Sequence, residues 1–195
     1  MSGTLEHEWE LDLPGETPEQ ILAGMVARDR LFGQAVTLEP EEDEANSVEA
    51  WFGTTDDLDG TTYKLGVYVE LTGPEDYLEP ARDALEEIMG EQLEIAATEA
   101  ENAVLVDRRP LAELSFETVA EDDENQQLVL PEWLAPEGAE LPWGFVVVDP
   151  KGHVWPGADV MKDHGRVVVV PFKDEVFVYG LPPIEDGDEE EEVTE

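Results

Sequence analysis

Cysteine is absent from the chain, which excludes disulfides, zinc–thiolate sites and a cysteine nucleophile. Basic residues are scarce. Lysine occurs only at Lys64, Lys151, Lys162 and Lys173, and Lys plus Arg total 10. Phosphate recognition needs clustered cations, so direct binding of nucleic acid is not expected. Serine occurs only at Ser2, Ser47 and Ser115, none of them in a Gly-x-Ser-x-Gly setting. Neither Gly-x-Gly-x-x-Gly nor a Gly-Lys-Ser/Thr phosphate loop occurs, so no cofactor is expected. No apolar run approaches the ~18 residues of a membrane span, and the first residues lack the basic and apolar regions of a signal peptide. The expected location is the cytoplasm, or a particle assembled there.

What the chain has in excess is acid. Asp plus Glu total 50 of the 195 residues, for a formal net charge of −40 and an isoelectric point near 4.1. Such charge destabilises a compact chain by self-repulsion in dilute buffer. Salt relieves it, because the Debye length falls to about 3 Å at 1 M. The acids spread along the whole chain rather than clustering. That distribution favours an environmental cause, a halophilic organism or its virus, over a local device.

Apolar residues make up 41% of the chain, enough for a core. Leu5 to Leu13 alternates apolar and acidic residues, the pattern of a half-buried strand. Thr17-Pro18-Glu19-Gln20 reads as a capping box opening a helix, with Ile21, Leu22, Met25, Val26 and Phe32 as its stripe and Gly33 as its stop. Strands are expected at Ala35–Leu38, Val48–Gly53 and Thr62–Thr72, with a loop over residues 54–60. Asp57, Asp59 and Gly60 match only part of a calcium loop. Thr55 and Gly66 stand where its first and last acids belong, so Asp59-Gly60 reads as a hairpin turn. A second helix is expected from Glu75 or Pro80 to Met89, ended by Gly90. Leu93–Ala97, Ala103–Val106 and Leu114–Val119 then read as strands.

The densest apolar runs are Phe145–Val148, Val167–Val170 and Val176–Tyr179. They predict one buried sheet spanning Trp143 to Gly180, the core on which the rest packs. Asp149-Pro150-Lys151-Gly152 and Lys173-Asp174-Glu175 read as its turns. The fold class is α+β: an N-terminal two-helix α/β sandwich, with a ferredoxin-like topology possible, followed by a C-terminal antiparallel β-rich part. Residues 1–119 form the first part and 120–127 an acidic linker. Residues 128–183 form the β-rich part, opening with an irregular crossover over Leu128–Pro142, and 184–195 an acidic tail expected to be disordered.

His153, Asp159, Asp163 and His164 are the one His/carboxylate group with metal-compatible chemistry, but their spacing matches no helical ligand signature. No metal site is assigned to them. Arg108 and Arg109 form the only adjacent basic pair, and Trp133, Trp143 and Trp155 each stand beside a proline or in a turn. Arg and Trp are enriched at interface anchors, so these five are the interface candidates. With no reaction motif present, the expected function is non-enzymatic: a protein-binding or structural assembly subunit of a larger complex, for example a virion component, with protein partners or self-association. The alternatives are an acidic DNA-mimic inhibitor and a metal-dependent enzyme using the His153–His164 segment.

Overall fold

The computed structural model describes residues 2–39, 46–110, 112, 115–118, 145–148, 154–155 and 166–182. The elements are β1 (Ser2–Pro14), α1 (Pro18–Leu31), β2 (Ala35–Leu38), β3 (Val48–Asp59), β4 (Thr62–Pro74), α2 (Glu75–Glu101), β5 (Val104–Pro110), β6 (Ser115–Thr118), β7 (Phe145–Val148), β8 (Val154–Trp155), β9 (Arg166–Phe172) and β10 (Glu175–Leu181). They form a four-stranded sheet in the order β1-β4-β3-β2 and two three-stranded sheets, β5-β10-β9 and β6-β7-β8. Every pairing is antiparallel.

The class is therefore α+β. A ferredoxin-like chain has two strands between its helices. Here three, β2 to β4, separate α1 from α2, and the strand after α2 joins the second sheet. Among the described residues no helix is long and apolar enough to cross a membrane.

The large sheet carries one core face. On β4, Tyr63, Leu65, Val67, Val69 and Leu71 are all 1% exposed or less, while Lys64, Tyr68 and Glu70 point to solvent. β1 alternates as its sequence predicts, with Leu5, His7, Trp9, Leu11 and Leu13 half-buried beside them. Val48, Ala50 and Phe52 of β3 complete this face. Both helices pack on it. Thr17 caps α1, its hydroxyl accepting from Gln20 N–H at 3.2 Å, while Gln20 Oε1 accepts from Glu16 N–H at 2.8 Å. Gly24 is required there, because any Cβ at that position would collide with the Tyr63 ring.

α1 also touches β9, so it lies between the large sheet and the β5-β10-β9 sheet. That placement explains why it is buried on more than one face, from Ile21 through Leu31. Val168, Val170, Phe177, Tyr179 and Leu181 belong to the same hydrophobic cluster as both helices and β4. Cross-links reinforce this layer. Tyr179 donates to Glu19 Oε1 at 3.1 Å, and Glu99 of α2 accepts from both Arg30 of α1 and Arg166 of β9, each at 3.1 Å.

Five expectations are corrected. The run Phe145–Val148 does not share a sheet with β9 and β10; it pairs with β6 and β8. The element that gathers the core is β4 with the two helices, not a sheet from Trp143 to Gly180. Residues 54–59 are strand rather than loop, paired with β4 as far as Asp59↔Thr62, with Gly60 turning at φ +63°. Finally α2 runs 27 residues through Gly90, so Leu93–Ala97 is helical, with Ala96 buried. Phe32, assigned to the α1 stripe, is 61% exposed, and Leu31 occupies the core instead. The linker 120–127, the crossover 128–142, the turn 149–152 and the tail 184–195 lie outside the described residues.

Candidate functional site

The residues singled out in the sequence are distributed unevenly. Trp133, Trp143, His153, Asp159, Asp163 and His164 lie outside the described residues. Trp155 is placed only as backbone, opposite Val147 in the β7–β8 pairing. Among the described residues no group of three or more His, Asp or Glu could hold a metal ion.

Arg108 is exposed but engaged. Its Nε donates to Glu175 Oε1 at 2.8 Å, a second nitrogen reaches the other carboxylate oxygen, and the guanidinium stacks 4.8 Å over Phe177. The hydrogen bond to Glu175 raises Arg108 above its ordinary pKa, and the reciprocal bond holds Glu175 below the usual carboxylate value. Arg109 Nε donates to Asp107 at 3.0 Å. The remaining arginines are paired as well: Arg28 with Asp29 and Asp56, Arg30 and Arg166 with Glu99, Arg82 with Asp83. The arginines of this chain thus serve as internal staples.

The most buried of these is Arg28, at 8% exposure. Its Nη1 donates to Asp56 Oδ2 at 2.9 Å, and Tyr63 Oη donates to the same oxygen at 2.8 Å. Nε donates to Asp29 at 2.9 Å; Nη2 lies 2.8 Å from that oxygen, a charge contact without hydrogen-bond geometry. Burial alone would lower the Arg28 pKa, but Asp29 and Asp56 outweigh it and hold the guanidinium charged. Burial, then the Asp56 carboxylate, push the Tyr63 phenol well above its ordinary value. With Tyr63 fully buried and Asp56 bound by two donors, the network works as a tie between α1 and the sheet.

A surface with a different character lies on the other face of the large sheet, which neither helix covers. Trp51 and Tyr68 are 46% and 42% exposed and meet edge to face with centroids 6.0 Å apart. They sit on neighbouring strands, Gly53 lying opposite Tyr68 and Trp51 opposite Glu70. The Tyr68 ring lies over Gly53, where any Cβ would clash with it, so the glycine makes room for the aromatic. Beside Trp51 an open groove of about 360 Å³ is lined by Ala35, Thr37, Glu49, Glu70 and Thr72, among others. The small side chains of β2 form it: Ala35 pairs with Trp51 and Thr37 with Glu49. Phe32 stands at the entry to β2, next to Gly33, whose N–H donates to Phe52 O at 3.0 Å.

Two of the exposed large apolar side chains, Trp51 and Tyr68, therefore lie on neighbouring strands of one sheet, and a third, Phe32, caps α1 just before β2. Among the described residues the others are Ile95 on α2 and Val104 and Leu105 on β5. Reading the sequence missed Trp51 because it stands inside a strand rather than in a turn. Its signal was the alternation itself, with Val48, Ala50 and Phe52 inward and Trp51 outward. No family model, no curated protein and no solved structure matches the chain.

Proposed function

We propose that this protein is a non-enzymatic protein-binding or assembly subunit of a larger complex, working at high salt, and that the outer face of the four-stranded sheet near β2 is its contact surface. One observation carries the reading: the Trp51–Tyr68 pair stands exposed on a sheet face without helices, beside a groove and an edge strand. An exposed aromatic pair buries much area at little conformational cost, which is why Trp and Tyr dominate interface hot spots. The acidic surface suits a molar-salt environment, where it keeps the free subunit dispersed.

The test is site-specific photo-crosslinking in cells of the source organism, with the reactive side chain at position 51, at 68, or at Glu87 on the exposed side of α2. The expected result is one adduct of defined mass, shared by 51 and 68 and missing at 87. No adduct from 51 or 68, or the same mixture from all three positions, would sink the reading.

A further inference from the structure

We propose that the free edge of β2 accepts an extended, basic segment of a partner protein as an added strand, with an arginine side chain lying in the groove against Trp51 and near Glu49 and Glu70. This rests on the protein-binding reading above and gives its partner a chemistry.

The backbone supplies the first argument. Phe52 N–H donates to Gln34 O at 3.0 Å. Hydrogen-bonded and non-bonded pairs alternate along an antiparallel ladder. Val36 and Leu38 therefore direct their backbone groups to β3, while Ala35 and Thr37 direct theirs away from it. Among the described residues β2 has no second strand neighbour, so these outward groups form an open ladder edge. The opposite edge strand, β1, is blunted. Its outer-face residues Glu6, Glu8, Glu10 and Asp12 form an unbroken acidic row. β2 instead presents Ala35 and Thr37.

Geometry supplies the second. An added strand lies about 4.8 Å from β2 and projects alternate side chains onto the outer face. A long side chain from it crosses over Ala35 or Thr37 to reach Trp51 on the next strand. Guanidinium groups stack on aromatic faces and bind carboxylates through planar, paired contacts.

Charge selects the occupant. The outer face carries Glu6, Glu8, Glu10, Asp12, Glu49, Asp57, Asp59 and Glu70 against one cation, Lys64, which is paired with Asp59 at 3.1 Å. No described group pairs with Glu49 or Glu70. A second copy of the chain is the wrong occupant, since each copy carries −40 and all its arginines are already paired. The chain's own acidic stretches at 39–44, 121–124 and 185–192 have the wrong sign too.

The probe is a fluorescent peptide alternating arginine and valine, titrated into the full-length protein in molar KCl and followed by anisotropy. A matching peptide with glutamate for arginine, and free arginine amide as competitor, are the controls. Thr37→Pro removes an outward N–H that the β2–β3 ladder does not use, so its melting curve should stay at wild type while peptide affinity falls about tenfold or more. Trp51→Ala and the Glu49→Gln/Glu70→Gln pair should weaken binding by a similar factor. No binding of the arginine peptide to wild type overturns the proposal, as does equal binding of the glutamate peptide. Competition by arginine amide at the peptide's own concentration also overturns it, because the groove would then be a small-cation pocket. If Trp51→Ala weakens binding and Thr37→Pro does not, strand addition fails while the sheet face survives as a contact surface. If neither matters, both fail.

Discussion

Asp56 and Asp57 are neighbours in β3 with opposite fates, and removing each in turn measures how this chain uses its acids. Asp56 points inward, its side chain 11% exposed, and accepts from both Arg28 and Tyr63. Asp57 points outward with the acids of the outer face. Asp56→Ala leaves a fully buried phenol without an acceptor, worth about 1–3 kcal/mol. It also strips Arg28 of one of two carboxylates. Removing the sole partner of a buried charge costs about 3–5 kcal/mol, and the surviving contact to Asp29 holds the loss here well below that range, at about 1–2 kcal/mol. Together these place the destabilisation at about 3 kcal/mol. For a chain of this size each kcal/mol moves the melting temperature by about 2–4 °C, so a fall of roughly 6–12 °C is expected. Asp57→Ala should stay within about 0.5 kcal/mol of wild type in molar KCl. On dilution of the salt it should raise the melting temperature, because it removes one repelling charge as the Debye length grows. Circular-dichroism melts of both variants across a KCl series are the assay. The wild type itself should lose stability steadily as KCl is lowered. The reasoning is refuted if Asp56→Ala melts within about 1 kcal/mol of wild type, or if the two substitutions behave alike at every salt concentration. A Tyr63→Phe/Asp56→Ala double variant should cost less than the sum of the singles, since both remove the same hydrogen bond.

Two helical glycines should respond with opposite signs. Gly90→Ala in α2 adds a methyl with nothing within 4 Å and should stabilise by about 0.5–1 kcal/mol, whereas Gly24→Ala drives a methyl into the Tyr63 ring and should cost about 1–3 kcal/mol despite the better helix propensity. Urea unfolding of the two variants checks this, and the same sign for both would refute it. In alkali, Tyr63 and Tyr179 are held above the ordinary phenol value of 10.0, Tyr63 by burial and then Asp56, Tyr179 by burial and then Glu19. A raised phenol keeps its proton in the folded state after the unfolded chain has lost it. The stability this provides is therefore complete below pH 10 and drains away as pH rises above it. Stability measured from pH 8 to 11.5 should fall more gently in a Tyr63→Phe/Tyr179→Phe variant, and parallel curves would refute the assignment.

The sequence by itself determined the elements whose pattern is complete within one segment. Leu5–Leu13 alternates, Thr17 to Gln20 spells a helix start, and Tyr63 to Leu71 places every second residue inward; each reads correctly because the burial period is written in adjacent residues. The charge of −40 likewise needs no structure, since it is a sum over residues. What the tertiary structure decided was every feature that depends on a partner far along the chain. Residues 54–59 look like a loop because they are polar. They are strand because β4 pairs with them and Arg28 neutralises the inward Asp56. α2 passes through Gly90 because the large-sheet core and the Arg30–Glu99–Arg166 tie hold both its ends, which outweighs the ~1 kcal/mol that glycine costs a helix. The valine-rich runs at 145–148 and 167–170 differ only in one phenylalanine yet enter different sheets, because local pattern says that a strand forms and only pairing says with what. The exposed aromatic pair was hidden for that reason. Trp51 and Tyr68 are 17 positions apart in sequence, and only the β3–β4 register brings their rings together, with the Tyr68 ring over Gly53.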